Sequence, residues 1–153
     1  MRDDAMAGTD TSYGTWTHSG APYQVRYSLP VLREIEFHVS EGFRRIPYGG
    51  IEHGGLLFGK HDNGTIQIEA FRPIECEHAA GPSFSLSEKD LAGVRRNLAS
   101  FSEQPELSAL VPVGIFISHS RRSLEVPAEE EALLSRLLPD PWQFLLLVKP
   151  EKF

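Results

Sequence analysis

Cysteine is nearly missing from this chain of 153 residues. Cys76 stands alone, so no disulfide can close within the chain, and that fits a reducing compartment. Without a neighbouring thiol, Cys76 is read as an inert side chain rather than a nucleophile. Long apolar runs are missing too. Nothing approaches the roughly 20 apolar residues of a membrane span, and the N-terminus lacks the basic-then-apolar order of a secretion signal. The expectation is a cytoplasmic protein that meets no membrane. Positive charge is scarce: 15 Lys and Arg against 21 Asp and Glu leave a net charge of −6. Phosphate backbones are gripped by clustered Lys and Arg. Here Arg44-Arg45, Arg95-Arg96 and Arg121-Arg122 are separate pairs, read as solvated, so nucleic acid is not an expected partner.

What is present suits one domain with a moderate core. Residues 1–22 are rich in Gly, Ser, Thr, Asp and Ala and show no periodicity, which predicts a disordered tail. Residues 23–153 are expected to fold. A short strand at 23–28 leads into a helix opened by Leu29-Pro30, where Leu32, Ile35, Val39, Phe43 and Ile46 form one buried stripe. His38 lies off that stripe and is expected at the surface. Pro47-Tyr48-Gly49-Gly50 stops the helix. Residues 51–60 read as a buried strand, Asn63-Gly64 as a hairpin turn and residues 65–74 as the return strand. His61 and His78 fall in loops. Ser87 with Asp90 can cap a helix whose stripe is Leu91, Val94, Leu98 and Phe101. Pro127 followed by Glu129-Glu130-Glu131 makes a favourable first turn for a third helix. Residues 142–148 are apolar almost throughout and are expected to be a strand covered on both faces. The predicted fold class is α/β (α+β), a mixed central sheet flanked by helices.

The chain is organised around Val113-Gly114-Ile115-Phe116-Ile117-Ser118-His119-Ser120, an apolar strand that ends in a polar cluster. Alternation puts Ile115, Ile117 and His119 on one face. A histidine at the mouth of a buried strand can serve a site or simply cap the strand by bonding to a loop. Ser118-His119-Ser120 does not make a serine hydrolase, because adjacent strand residues face opposite ways and no Gly-x-Ser-x-Gly elbow exists.

Glu52 followed by Gly55-Leu56-Leu57-Phe58-Gly59, a strand pair, a second helix, the Val113–Ser118–His119 strand and a Pro-led acidic helix together resemble the MPN domain family, over roughly residues 27–149. Its zinc-dependent members are the JAMM isopeptidases. The family's active signature is a Glu before the Gly-Leu-Leu-x-Gly strand, then His-(Ser/Thr)-His-Pro, then Ser-x-x-Asp. Two histidines and the Asp hold Zn²⁺, and water takes the fourth position. The Glu is the general base and the Ser steadies the oxyanion. The resemblance places Glu52 at the base and His119 at the second histidine. Ile117 stands where the first histidine belongs, and Ser120 where the proline belongs. The family Ser and Asp fall on Pro127 and Glu130, or, with a slip of one residue, on Ala128 and Glu131. Isoleucine cannot bind a metal, so His119 and Glu130 are left as the ligands, fewer than the three that catalytic zinc uses. Glu130 can equally be an ordinary first-turn residue, and Glu52 an ordinary carboxylate. His53 neighbours Glu52 but points to the opposite face. The family shares a broad layering with the cytidine deaminases, yet the Pro-Cys-x-x-Cys of those enzymes is missing.

The first expectation is an MPN-like domain without a working zinc site and without another cofactor, which acts by binding a protein. The resemblance implies as partner a ubiquitin-like protein, another MPN domain or a peptide laid along a sheet edge. The second is an active zinc isopeptidase acting on ubiquitin-like conjugates, with Glu52 as base, His119 and Glu130 (or Glu131) as ligands and a substitute third ligand. Family domains continue past the strand at 142–148, which implies either truncation or an edge covered by a partner, including a second copy.

Overall fold

The computed structural model describes residues 12–17, 20, 22–45, 51–120 and 122–150, with backbone alone at 42–45. Six strands and three α-helices alternate along it. They are β1 (Tyr13–Trp16), β2 (Gln24–Ser28), α1 (Leu29–Arg45), β3 (Gly54–Asp62), β4 (Thr65–Pro73), α2 (Glu88–Ser100), β5 (Val111–Ser118), α3 (Ala128–Leu137) and β6 (Phe144–Val148). The strands join in one mixed sheet of order β1-β2-β4-β3-β5-β6. The pairs β2/β4 and β5/β6 are parallel, and the other neighbours are antiparallel. This is the mixed α+β fold that the order of elements predicts.

Local chemistry explains the main turns. Asn63 and Gly64 both take positive φ, 44° and 82°, as a tight primed hairpin turn requires. Ser87 caps α2 through a reciprocal box: its hydroxyl accepts from the Asp90 amide, and the Asp90 carboxylate accepts from the Ser87 amide, both at 3.1 Å. Gly59 sits at a register shift in β3, where a Cβ would come within 1.6 Å of the Gln67 carbonyl.

The sheet divides the core in two. On one face, Ile35 and Val39 of α1 pack with Leu57, Ile66, Ile68, Val113 and Phe116. On the other, Leu91 and Val94 of α2 and Leu137 of α3 pack with Leu56, Phe58, Ile115 and Ile117. Val113 and Ile115 lie on opposite faces despite their spacing, because the β3–β5 register steps from Gly114 to Pro112 and leaves Val113 as the bulged residue.

Several expectations need correction. Tyr13–Trp16, within the stretch read as a tail, is an edge strand paired to β2, with Trp16 packed on the Tyr27 ring at 4.1 Å. Tyr13 and Trp16 in a polar stretch give no periodic signal, yet the Trp16 contact with Tyr27 supplies apolar burial. Residues 142–148 do not form a strand covered on both faces: β6 is shorter, half-buried and at the edge of the sheet. His61 belongs to β3 rather than a loop, and its ring stacks on Trp142 at 4.0 Å. His38 is not on the surface. It is half-buried against His53, Phe71 and Phe116, and its buried Nε2 has no hydrogen-bond partner among the described residues. The proposed helix stop at 47–50 lies outside the described residues.

Candidate functional site

The C-terminal end of β5 delivers Ser118 and His119 beside the residues that lead into β3. Two bonds lock them there: Ser118 N–H donates to the His53 carbonyl, and the Ser118 hydroxyl accepts from His53 N–H, both at 2.8 Å. His119 N–H donates to the Val148 carbonyl of β6 at 2.8 Å. This frame turns Glu52 toward α3 and His53 toward α1, where its ring meets His38 at 4.7 Å. The opposite facing of Glu52 and His53 is the one that strand alternation predicts.

Glu52 is almost wholly buried, at 2% exposure. Its Oε1 accepts from Phe84 N–H at 3.1 Å and Arg122 Nη2 at 2.6 Å. Its Oε2 accepts from Ser120 N–H at 3.1 Å and Arg122 Nε at 3.3 Å. Gly54 makes the Phe84 contact possible, since a Cβ there would meet the Phe84 ring at 2.5 Å and the Phe116 carbonyl at 2.9 Å. Glu130, from the first turn of α3, is also buried. One of its oxygens lies 2.9 Å from His119 Nε2 and the other 2.9 Å from Arg122 Nη2. Arg122 thus bridges both carboxylates. Burial pulls its guanidinium pKa down, but the bonds and charges of Glu52 and Glu130 outweigh that and raise it.

His119 is fully buried and meets an acceptor at each nitrogen. The Ser123 carbonyl, 2.8 Å from Nδ1, can only accept, so Nδ1 carries a proton. His119 is both a strand cap bonded to a loop and a member of a buried charge cluster.

His78 lies in a loop and sets its Nε2 2.9 Å from the Glu52 carbonyl oxygen. Glu52, His119 and Glu130 converge, and Ile117 is fully buried in the apolar core on the α2 and α3 side. Glu131, the ligand of the slipped register, is exposed. Glu130 is not merely a solvated first-turn residue. The sequence reads Arg122 with Arg121, which lies outside the described residues, as a solvated pair, whereas Arg122 is the cation of the cluster. Its only sequence signal is its place three residues after His119, in a stretch too irregular to aim a side chain. Ser118 was placed in the motif, but its role as a brace on His53 was not foreseen.

The donor set does not fit a metal. Both oxygens of each glutamate and both nitrogens of His119 already have partners from the chain. Beside them the buried Ser120 hydroxyl has no partner among the described residues, and it is a neutral oxygen and a weak ligand. Among the described residues no group of three or more His, Cys, Asp or Glu is arranged to hold an ion. Outside the cluster, Arg122 opens on a cleft of about 500 Å³ lined by Ser83, Phe84, Leu86, Leu91, Leu133 and Arg136.

No protein-family model matches the chain, and no curated protein matches it. Among solved structures, it is similar to the solution structure of protein DSY2949 from Desulfitobacterium hafniense, 20% identical, with a TM-score of 0.54 over 82% of this chain and 75% of that one. A solution structure of a protein from Salinibacter ruber is 18% identical, with a TM-score of 0.49 over 80% of this chain and 71% of that one. At such identity the first likeness shows the fold alone. Among the described residues, no helix is long and apolar enough to cross a membrane.

Proposed function

We propose that this chain is an MPN-like domain that works by binding a protein and not by metal-dependent cleavage. The observation that carries the reading is the saturation of Glu52, His119 and Glu130 by partners from the chain itself. A catalytic zinc needs ligands that are free to coordinate and one open position for water. Ile117, which stands where the family has a histidine, is wholly apolar and packed.

The binding half of the proposal rests on the edge of the sheet. Among the described residues β6 pairs on one side only, with β5. Beside it runs an apolar cleft of about 380 Å³ lined by Trp16, Leu32, Leu124, Leu146, Leu147, Val148 and Lys149. An open edge with apolar side chains beside it is suited to accept a strand from another chain. The partner on this reading is a ubiquitin-like protein, a second MPN-like domain or a second copy of this chain. The alternative reading, an isopeptidase with an atypical ligand set, is kept because Glu52 and His119 occupy matching positions.

The test is cleavage of a ubiquitin-like fusion by the purified protein, with added zinc and with a chelator, alongside metal analysis. No cleavage and less than a tenth of an equivalent of zinc is the expected result. Chelator-sensitive cleavage that Glu52→Gln abolishes would overturn the proposal.

A further inference from the structure

We infer that Arg122 is a resident cation that takes over the structural work of a metal at this site. The inference rests on the MPN-like reading for the comparison with a metal, but its geometry stands alone. A divalent ion in such a site would tie together the start of β3, the end of β5 and the first turn of α3. The Arg122 guanidinium makes the ties to β3 and α3 itself: Nη2 reaches Glu52 at 2.6 Å and Glu130 at 2.9 Å, and Nε adds a second bond to Glu52. The third tie, to His119 at the end of β5, runs through Glu130.

The charge argument points the same way. Glu52 and Glu130 are at 2% and 4% exposure, and two buried carboxylates this close repel unless a cation lies between them. The chain supplies that cation from a residue held by its own backbone, so the arrangement forms without any ion from solution. A guanidinium is suited to the task because it is planar, stays charged and offers several donors in a fixed fork. Arg122 stands in the stretch between β5 and α3, three residues from His119 and eight from Glu130. The same contact therefore fixes that stretch against the body of the domain. Carboxylate–metal bonds of about 2.0–2.2 Å are less than 1 Å shorter than the two Nη2 distances. A cation from solution could therefore occupy the space once the side chain is cut back.

The test compares Arg122→Lys, Arg122→Met and Arg122→Ala by thermal unfolding, each with and without zinc or methylguanidinium. Lys keeps a cation, Met keeps bulk without charge, and Ala leaves a hole. The expected order of Tm is wild type, Lys, Met, with Ala lowest by on the order of 10 °C. Zinc or methylguanidinium should raise the Ala variant and leave the wild type unmoved. If Met is as stable as Lys, or if zinc raises the wild type as much as the Ala variant, the inference fails. Should the Met and Ala variants not fold, exchange of the Arg122 Nε–H in the wild type decides. A protected signal unmoved by zinc supports a resident cation, and exchange at the solvent rate overturns it. Partner binding plays no part here, so a wild type that binds no protein would sink the binding half of the proposed function without touching this result.

Discussion

Four donors converge on the carboxylate of Glu52: two backbone amides, from Phe84 and Ser120, and two nitrogens of Arg122. Glu52→Gln removes the charge while keeping the shape. It leaves Arg122 with a single carboxylate and turns one acceptor into a donor facing donors. Glu52 is buried but the Arg122 side chain is 33% exposed, so breaking the pair from one side should cost less than the about 3–5 kcal/mol of a fully buried pair, and the urea midpoint should fall; an unchanged midpoint would show that the pair contributes nothing. His38 gives a prediction in pH. Burial holds its imidazole below the usual 6.5. Between that lowered value and 6.5 the unfolded chain binds more protons than the folded one. The contribution of neutral His38 to stability is therefore complete above about 6.5 and is lost as the pH falls toward the lowered pKa. His38→Phe should lose less stability than the wild type between pH 7 and pH 5. Equal losses would show that His38 does not carry the dependence.

At the scale of elements, α2 depends on its cap and the start of β3 on its glycine. Ser87→Ala removes the acceptor of the Asp90 amide and should cost about 1 kcal/mol. Burial pushes the Asp90 carboxyl up, but amide bonds from Ser87 and Glu77 outweigh it and hold the pKa below its usual 3.8. The stability contributed by ionised Asp90 is thus complete above about 3.8 and is lost as the pH falls through the lowered value. Gly54→Ala would drive a methyl into the Phe84 ring and the Phe116 carbonyl, and overpacking of this kind costs about 1–3 kcal/mol. A denaturant series on the two variants, Ser87→Ala and Gly54→Ala, checks both figures. These elements were legible beforehand because their signals are local. The cap is a matter of four residues, the hairpin of two, and the stripes of α1 and α2 repeat every turn. β1 was not legible, since its apolar residues show no period and its contacts, with Tyr27, Arg26 and Glu69, are made by single side chains. Neither was the bridging role of Arg122, which depends on the path of an irregular segment between β5 and α3.

For the whole molecule, the sheet has two ends, and they differ in what they leave open. β1 carries Tyr13, whose hydroxyl donates to Glu69 at 2.8 Å while the Arg26 guanidinium lies over its ring at 4.6 Å. β6 carries Leu146 and Val148 beside an apolar cleft. Polar and charged groups discourage edge pairing, and apolar ones invite it. Association through β6 predicts that sedimentation at rising concentration shows a dimer, and that Leu146→Lys abolishes it while leaving the far-ultraviolet circular dichroism unchanged. A strictly monomeric wild type at high concentration would remove the second copy as the partner. The central claim, that a side chain stands where a metal would, is tested most directly by crystals grown with zinc and measured at the zinc absorption edge. The expected map shows the Arg122 guanidinium between Glu52 and Glu130 and no anomalous peak there. A peak bonded to Glu52, His119 and Glu130, with Arg122 swung away, would contradict it.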